Sequence, residues 1–245
     1  MQFEVITLFP EFIEGASSYG VVGGAIKEKK VYLKTWDLKE FSNNSTKRVD
    51  DRPYGGGPGM VLLAEPVIKA IDTIKKKIPT SYVVYLSPKG TLFNQNKAKE
   101  LLSKKKIVLI SGRYEGIDQR VLDSKVDDEI SVGDFVLTGG EIPALIMIDA
   151  IARLIPGVLG AKDSLLEDSF TNGLLEYPHY TRPEKGYFGD VPGVLLSGDH
   201  AAIAKWRLKQ SLIKTMKRRP DLMKSKKFSE EEKKLISEII SEEKA

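Results

Sequence analysis

Ser131-Val132-Gly133-Asp134-Phe135-Val136-Leu137-Thr138-Gly139-Gly140-Glu141 is the stretch on which the reading of this chain turns. It follows a short apolar and acidic run, residues 126–130, and precedes apolar residues at helical spacing over 143–155. Its three glycines permit positive φ and let the backbone approach a ligand closely. Pro143 suits a first helical turn, where its missing N–H costs nothing. The stretch thus predicts a strand end, a tight backbone cradle and a helix start, with free N–H and C=O groups for a small polar ligand. A Gly-Gly pair alone more often marks a plain turn. Here Ser111-Gly112-Arg113-Tyr114-Glu115-Gly116 closes a second apolar run, residues 107–110, and Leu86-Ser87-Pro88-Lys89-Gly90 closes a third, residues 82–85. In a parallel α/β sheet the carboxyl ends of the strands share one edge, where ligands bind. Three glycine-bearing loops on that edge predict a pocket.

Outward from these loops the pattern is consistent. Residues 3–9 read as a buried strand stopped by Pro10, residues 12–30 as a helical pattern broken by Gly20, Gly23 and Gly24, and residues 31–36 as a strand. Residues 37–58 form a long polar connection. Its end, Asp50-Asp51-Arg52-Pro53-Tyr54-Gly55-Gly56-Gly57-Pro58-Gly59, is too rich in Gly and Pro for regular structure. Connections that long are usually functional or disordered. Helices are predicted at 64–78, 94–104 and 141–155, with strands at 82–86 and 107–110. That alternation makes the fold class α/β, with a mostly parallel sheet and covering helices. The first domain is read as 1–157, closed by Pro156-Gly157, followed by a linker, 158–173, and a small helical domain, 174–245. In the latter, Ser197 or Asp199 caps a helix with Ile203, Trp206, Ile213 and Met216 on its apolar face. Pro220 ends it, and Ser229 to Glu232 has capping-box spacing before a last helix.

Composition narrows the function. The chain has 245 residues, ample for a sizeable core, and 41% hydrophobic and 29% charged residues, as expected of a globular protein in water. It contains no cysteine, which excludes disulfides, thiol catalysis and Cys-ligated metal and fits a reducing cytosol. Two histidines, His179 and His200, argue against a His-rich metal site. No apolar run approaches the ~20 residues of a membrane span, and Met1-Gln2-Phe3-Glu4-Val5 lacks the basic start of a signal peptide. No Gly-x-Gly-x-x-Gly follows the first strand and no Walker A pattern occurs, so the usual dinucleotide and nucleotide fingerprints are absent. The net charge of +4 resides in residues 174–245, while residues 1–173 balance. Between Ala201 and Lys227 ten basic residues face one acid, Asp221. That asymmetry is either a polyanion-binding footprint or a solvated basic helix face, the commoner case for a charged helix taken alone.

Several motifs occur together: Thr7-Leu8-Phe9-Pro10, Gly55-Gly56-Gly57-Pro58-Gly59-Met60, Leu86-Ser87-Pro88, Gly112-Arg113-Tyr114-Glu115-Gly116, Gly133-Asp134 and Gly139-Gly140-Glu141. Glu167-Asp168-Ser169-Phe170, Pro178-His179-Tyr180-Thr181-Arg182-Pro183 and Trp206-Arg207 follow them. In these the chain resembles, essentially end to end, the bacterial tRNA (guanine-N1)-methyltransferases of the SPOUT superfamily. Val132 and Phe135 stand where Ile and Tyr are frequent in that family, and residues 161–166 depart from it.

The resemblance implies S-adenosylmethionine bound in a deep trefoil knot, an arrangement general fold rules would not suggest. It implies a pocket of Tyr85, Leu86, Ser87 and Pro88, then Gly112, Tyr114 and Glu115, then Ser131, Val132, Gly133, Phe135, Leu137, Gly139 and Gly140, with Pro143 beyond. It implies transfer of a methyl group to N1 of the guanosine 3′-adjacent to the anticodon, position 37 of tRNA, with Asp168 as base and Arg153 as partner of O6. Taken alone, Asp168 reads as a solvated linker acid or a turn cap, and Arg153 as the i,i+4 ion-pair partner of Asp149. His179, Arg182, Lys205, Arg207, Lys209 and Lys214 are the expected RNA contacts, with packing within its own turn an equal alternative for His179. A cytoplasmic homodimer with composite sites is implied, with Mg2+ admitted beside the cofactor and no resident metal. Two other readings remain: a SPOUT ribose 2′-O-methyltransferase and a non-catalytic RNA-binding protein.

Overall fold

The computed structural model describes residues 1–160, 168–187 and 189–242. The chain divides into two compact units, Met1–Gly160 and Ala161–Ala245.

The first unit is built on a five-stranded sheet. Its strands are β1 (Gln2–Thr7), β2 (Tyr32–Asp37), β5 (Tyr82–Leu92), β6 (Lys106–Ser111) and β7 (Asp128–Ser131), in the order β2-β1-β6-β5-β7. Every neighbouring pair is parallel. Helices α1 (Pro10–Ser17), α2 (Gly20–Lys27), α4 (Gln95–Lys104) and α6 (Glu141–Ala152) cover one face, and α3 (Ala64–Lys77) and α5 (Gln119–Lys125) the other. Because both faces are covered, the central strands are apolar throughout and still sort by the two-residue period of a strand. Val84, Leu86, Ile107 and Leu109 enter one core cluster, while Val83, Tyr85, Val108 and Ile110 enter the other. Fully burying each of these aliphatic side chains, Tyr85 apart, contributes about 1.5–3 kcal/mol, which is what makes a chain of this pattern form a three-layer domain.

The structure corrects the expected elements in four places. First, β5 does not stop at Leu86. Both Leu86 and Thr91 pair with Ile130, so residues 87–90 bulge from the sheet and the strand resumes to Leu92. Gly90 is what permits the return: a β-carbon there would lie 2.3 Å from a backbone carbon of Glu129. Second, the Gly/Pro-rich connection is not wholly irregular, because β3 (Asp50–Asp51) pairs antiparallel with β4 (Val61–Leu62) and clamps its base. Third, α5 was not anticipated. It is seven residues long with one buried side chain, Val121, too short to show a helical period. Fourth, residues 12–30 hold two helices, α1 and α2, split at Tyr19 rather than blurred by glycine.

The second unit holds α7 (Gly193–Leu196), α8 (His200–Arg218), α9 (Pro220–Ser225) and α10 (Glu230–Glu242). Asp199, not Ser197, caps α8, accepting from the N–H groups of Ala201 at 3.0 Å and Ala202 at 3.1 Å. The capping box forms in both directions: the Ser229 N–H donates to Glu232 Oε2 (2.7 Å) and the Glu232 N–H donates to Ser229 Oγ (3.2 Å). The buried face of α8 is Ser211, Leu212 and Thr215, packed with Leu174, Leu235 and Ile239. Of the expected face, Ile213 and Met216 pack against this core, whereas Ile203 and Trp206 line an open cleft. Pro220 ends α8 by starting α9, where a proline at the first position loses no hydrogen bond.

Candidate functional site

β6, β5 and β7 are neighbours in the sheet, so the segments leaving Ser111, Leu86 and Ser131 come together at one edge. They enclose a cleft of about 320 Å³. All fifteen residues expected to hold a cofactor line it: the four from Tyr85 to Pro88, then Gly112, Tyr114 and Glu115, then the seven from Ser131 to Gly140, and Pro143. Val136 and Thr138, within the 131–140 stretch expected there, also line it, as do Lys89, Arg113, Gly116, Ile117, Gln119, Leu122, Glu129 and Ile130, which lie outside the expected set. Gln119 and Leu122 belong to the unrecognised α5. Arg113 and Gly116 lie within the quoted motif 112–116, and only their placement at the cleft was missing.

Backbone contacts hold the loops against one another. The Gly140 N–H donates to the Gly112 carbonyl at 2.8 Å, and Gly139 bridges Arg113 in antiparallel fashion. Only glycine fits at 140: a β-carbon would lie 2.7 Å from Ser111 Cα and 2.9 Å from the Gly112 nitrogen, both backbone atoms. On the other side, the Glu115 N–H donates to the Met60 carbonyl (3.0 Å) and the Leu62 N–H to the Gly116 carbonyl (2.9 Å). These bonds hold Tyr114 at φ +60°, a conformation that non-glycine side chains adopt rarely and at a cost of order 1–3 kcal/mol. Burial pushes the Tyr85 phenol up to about 12, against a smaller opposite effect of a hydrogen bond to the Ile117 backbone, so it is neutral wherever the protein works.

A buried ion pair fastens the end of the glycine loop. Glu141, the first residue of α6, is 2% exposed at its side chain and accepts from Arg113 Nε at 3.0 Å and from Thr7 Oγ1 at 2.9 Å. Arg113 also donates to the Thr138 carbonyl (3.3 Å) and lies 4.5 Å from the Phe9 ring centroid. A carboxylate in the first turn of a helix gains from the helix dipole. Arg113→Met leaves that carboxylate buried beside Thr7 alone. It is expected to lower the unfolding free energy by about 2–3 kcal/mol, less than a fully buried pair because Arg113 keeps some contact with water. Urea unfolding checks this, and an unchanged midpoint and slope would make the pair inert.

Neither expected catalytic residue is among those that line this cleft. Arg153 is the C-cap of α6, whose N-terminus borders the cleft. Twelve helical residues intervene, roughly 18 Å at 1.5 Å per residue, so this chain does not bring Arg153 to its own cleft. Asp168 belongs to the second unit, half-buried in a turn closed by the Thr171 N–H on its carbonyl (3.2 Å). The linker segment 161–167, with Glu167 of the motif, lies outside the described residues.

Of the expected RNA contacts, His179, Arg182 and Arg207 line a second cleft of about 570 Å³ together with Tyr177, Tyr180 and Trp206. His179 Nε2 lies 2.7 Å from Glu176 Oε1 and its ring 4.8 Å from that of Tyr177, so packing within its turn is also realised. Lys205 is exposed, whereas Lys209 pairs with Glu242 (2.7 Å) and Lys214 donates to the Glu176 carbonyl (3.2 Å). The helix is basic, but these two lysines are partly answered within the protein. Among the described residues no helix is long and apolar enough to cross a membrane, and no group of three or more His, Cys, Asp or Glu is placed to hold a metal ion.

Comparison with known proteins shows the family. The profile of the family described as tRNA (Guanine-1)-methyltransferase TrmD matches residues 1–225. A protein of Buchnera aphidicola subsp. Schizaphis graminum named tRNA (guanine-N(1)-)-methyltransferase is 51% identical over 237 residues, covering 97% of this chain and 90% of its own length. Proteins of the same name from Coxiella burnetii (strain RSA 493 / Nine Mile phase I) and Vibrio campbellii are 49% and 48% identical, covering 97% and 98% of both chains. The match thus spans the cleft-bearing unit and nearly all of the helical one, and the chain belongs to the tRNA (guanine-1)-methyltransferase family.

Proposed function

We propose that this protein transfers a methyl group from S-adenosylmethionine to N1 of the guanosine 3′-adjacent to the tRNA anticodon, position 37. The observation that carries the reading is the cleft on three neighbouring strand ends in a chain of this family. The residues suit an adenosine-bearing ligand. Leu86, Ile130, Val132, Leu137 and Pro143 offer an apolar slot, and the glycine loop offers backbone donors and acceptors around it. A deep trefoil knot is part of this reading. Its support is the close passage of the 139–140 segment against 111–113, where only glycine fits.

When bound, the cofactor supplies a methyl group already activated on a sulfonium, so the hard chemistry is its own. The protein must prepare the acceptor. Guanine N1 carries a proton and is a poor nucleophile until it loses it. Asp168 takes that proton as general base, and the Arg153 guanidinium meets the negative charge that grows on O6. The target base leaves its stack to be reached.

We further propose a homodimer in which one chain's cleft is completed by its partner's Arg153 and Asp168. Support comes from α6. It is apolar around most of its circumference, yet Ile142 and Ile146, one turn apart, are 46% and 42% exposed. An apolar stripe left open on a core helix marks a contact surface. Arg153, too far along α6 to serve its own cleft, ends the same helix. The tRNA substrate makes the cytoplasm the place of work, and Mg2+ is admitted as an accompanying ion with no protein site of its own.

Helix α8 and the cleft beside it would hold tRNA phosphates and set register. Lys205→Glu is expected to weaken tRNA binding at low salt and make its salt dependence shallower. Lys209→Glu, whose native charge Glu242 already answers, is expected to show a smaller deficit, and so is Lys214→Glu. Wild-type affinity for Lys205→Glu would leave α8 a solvated basic face. For the reaction itself, labelled S-adenosylmethionine is incubated with tRNA and the product digested to nucleosides. Label in N1-methylguanosine is expected. Label on ribose would favour the 2′-O enzyme, and RNA binding without label the non-catalytic reading.

A further inference from the structure

Glu129 is a charged residue at the inner wall of the cleft that the reaction just described does not use. It lies on β7 opposite Tyr85 of β5, so its side chain leaves the sheet on the face that carries Tyr85. That face is covered by α5, which brings Gln119 and Leu122 to the same cleft. Glu129 Oε1 is sealed from solvent and has no hydrogen-bond partner in the protein.

An acceptor buried without a donor carries the full cost of its lost hydration, more so when charged. An apolar side chain would fill this place without that cost. The other charged side chains of the cleft do not relieve it: Arg113 is engaged with Glu141, and Lys89 is exposed on the bulge of β5. Tyr85 does not relieve it either, since the negative charge of Glu129 helps to keep the phenol neutral without a hydrogen bond to Oε1. A carboxylate on a residue that lines a cavity, with one oxygen that finds no donor in the protein, is poised for a donor brought by the ligand.

We infer that Glu129 is a cofactor-binding residue, its carboxylate accepting a hydrogen bond from an N–H or O–H group of S-adenosylmethionine. The inference rests on the methyl-donor reading above. The cofactor offers such groups at both ends: amino and hydroxyl groups on its nucleoside and an ammonium on its methionine portion. A charge-assisted bond of this kind discriminates strongly for the ligand that brings the donor.

The test measures S-adenosylmethionine binding by calorimetry in wild type, Glu129→Gln and Glu129→Leu, together with the thermal midpoint of each ligand-free protein. Glu129→Leu is expected to bind roughly 10- to 100-fold more weakly, and Glu129→Gln, which keeps an acceptor oxygen, about 3- to 10-fold more weakly. The ligand-free midpoint should be unchanged or higher in the leucine variant, because an unsatisfied group has been removed; a merely structural carboxylate would give a fall. A parallel titration with 5′-methylthioadenosine, which lacks the ammonium, locates the donor. Loss of affinity for both ligands puts it on the nucleoside, and loss for S-adenosylmethionine alone puts it on the methionine end. Wild-type affinity in both variants overturns the inference while leaving the function intact. Absence of saturable binding in the wild type overturns both. If Glu129→Leu does not fold, Glu129→Gln decides alone, and binding at the wild-type level rejects the role.

Discussion

Asp168→Asn is expected to slow methyl transfer by about 10²–10⁴-fold, the range attributed to a positioned general base. Affinity for S-adenosylmethionine should stay near that of the wild type. The asparagine side chain keeps the shape of aspartate and loses its ability to accept the N1 proton as the new bond forms at N1. Asp168 is not among the residues that line the cleft, and the substitution changes none of those residues. Single-turnover transfer separates chemistry from tRNA binding and product release. A single-turnover rate equal to wild type would take the base role from Asp168. A raised KM with an unchanged chemical step would assign it to tRNA placement.

Two inactive chains are expected to rescue each other. Asp168→Ala removes the proposed base. Gly140→Val fails for a reason visible in the structure: its β-carbon must enter space held by the backbone of Ser111 and Gly112, so the glycine loop cannot close. Each homodimer should be nearly inactive. In a mixed dimer with shared sites, the cleft of the Asp168→Ala chain meets an intact Asp168 on its partner, and about half of the wild-type dimer's activity should return. Isolating doubly tagged heterodimers ensures that only folded, paired chains are assayed. The far position of Arg153 sharpens the test. If both Arg153 and Asp168 come from the partner, Arg153→Ala mixed with Gly140→Val should also recover, whereas Arg153→Ala mixed with Asp168→Ala should not. Heterodimers that stay as inactive as their parents would mean that each chain builds its own site.

How far the sequence alone carried the reading depended on the range of the interactions involved. Strands β1, β2 and β6 and helices α3 and α4 were legible because burial on one or both faces imposes a period on the residues themselves. The caps at Asp199 and Ser229 were legible because the donor and acceptor lie within three residues of each other. The three loops of the cleft could be placed on one edge because parallel strands force their carboxyl ends together.

Features set by distant partners were not legible in this way. Nothing local in Leu86-Ser87-Pro88-Lys89-Gly90 says that β5 resumes after the bulge; the pairing of Thr91 with Ile130 decides that, and Gly90 only allows it. Gly140 looks like a ligand contact in the sequence, yet its immediate constraint is the backbone of Ser111, twenty-nine positions earlier. Glu141 reads as a helix-start acid until Arg113 and Thr7 arrive from two other strand ends to bury it. Glu129 reads as one acid among several until β7 turns it inward beside Tyr85. The amino-acid sequence by itself determined the α/β class, the strand ends that form the cleft and the basic helix, because each depends on residues near one another in the chain. Only the tertiary structure decided which side chains face into the cleft and which charges are already paired, because close packing between remote segments sets those directions.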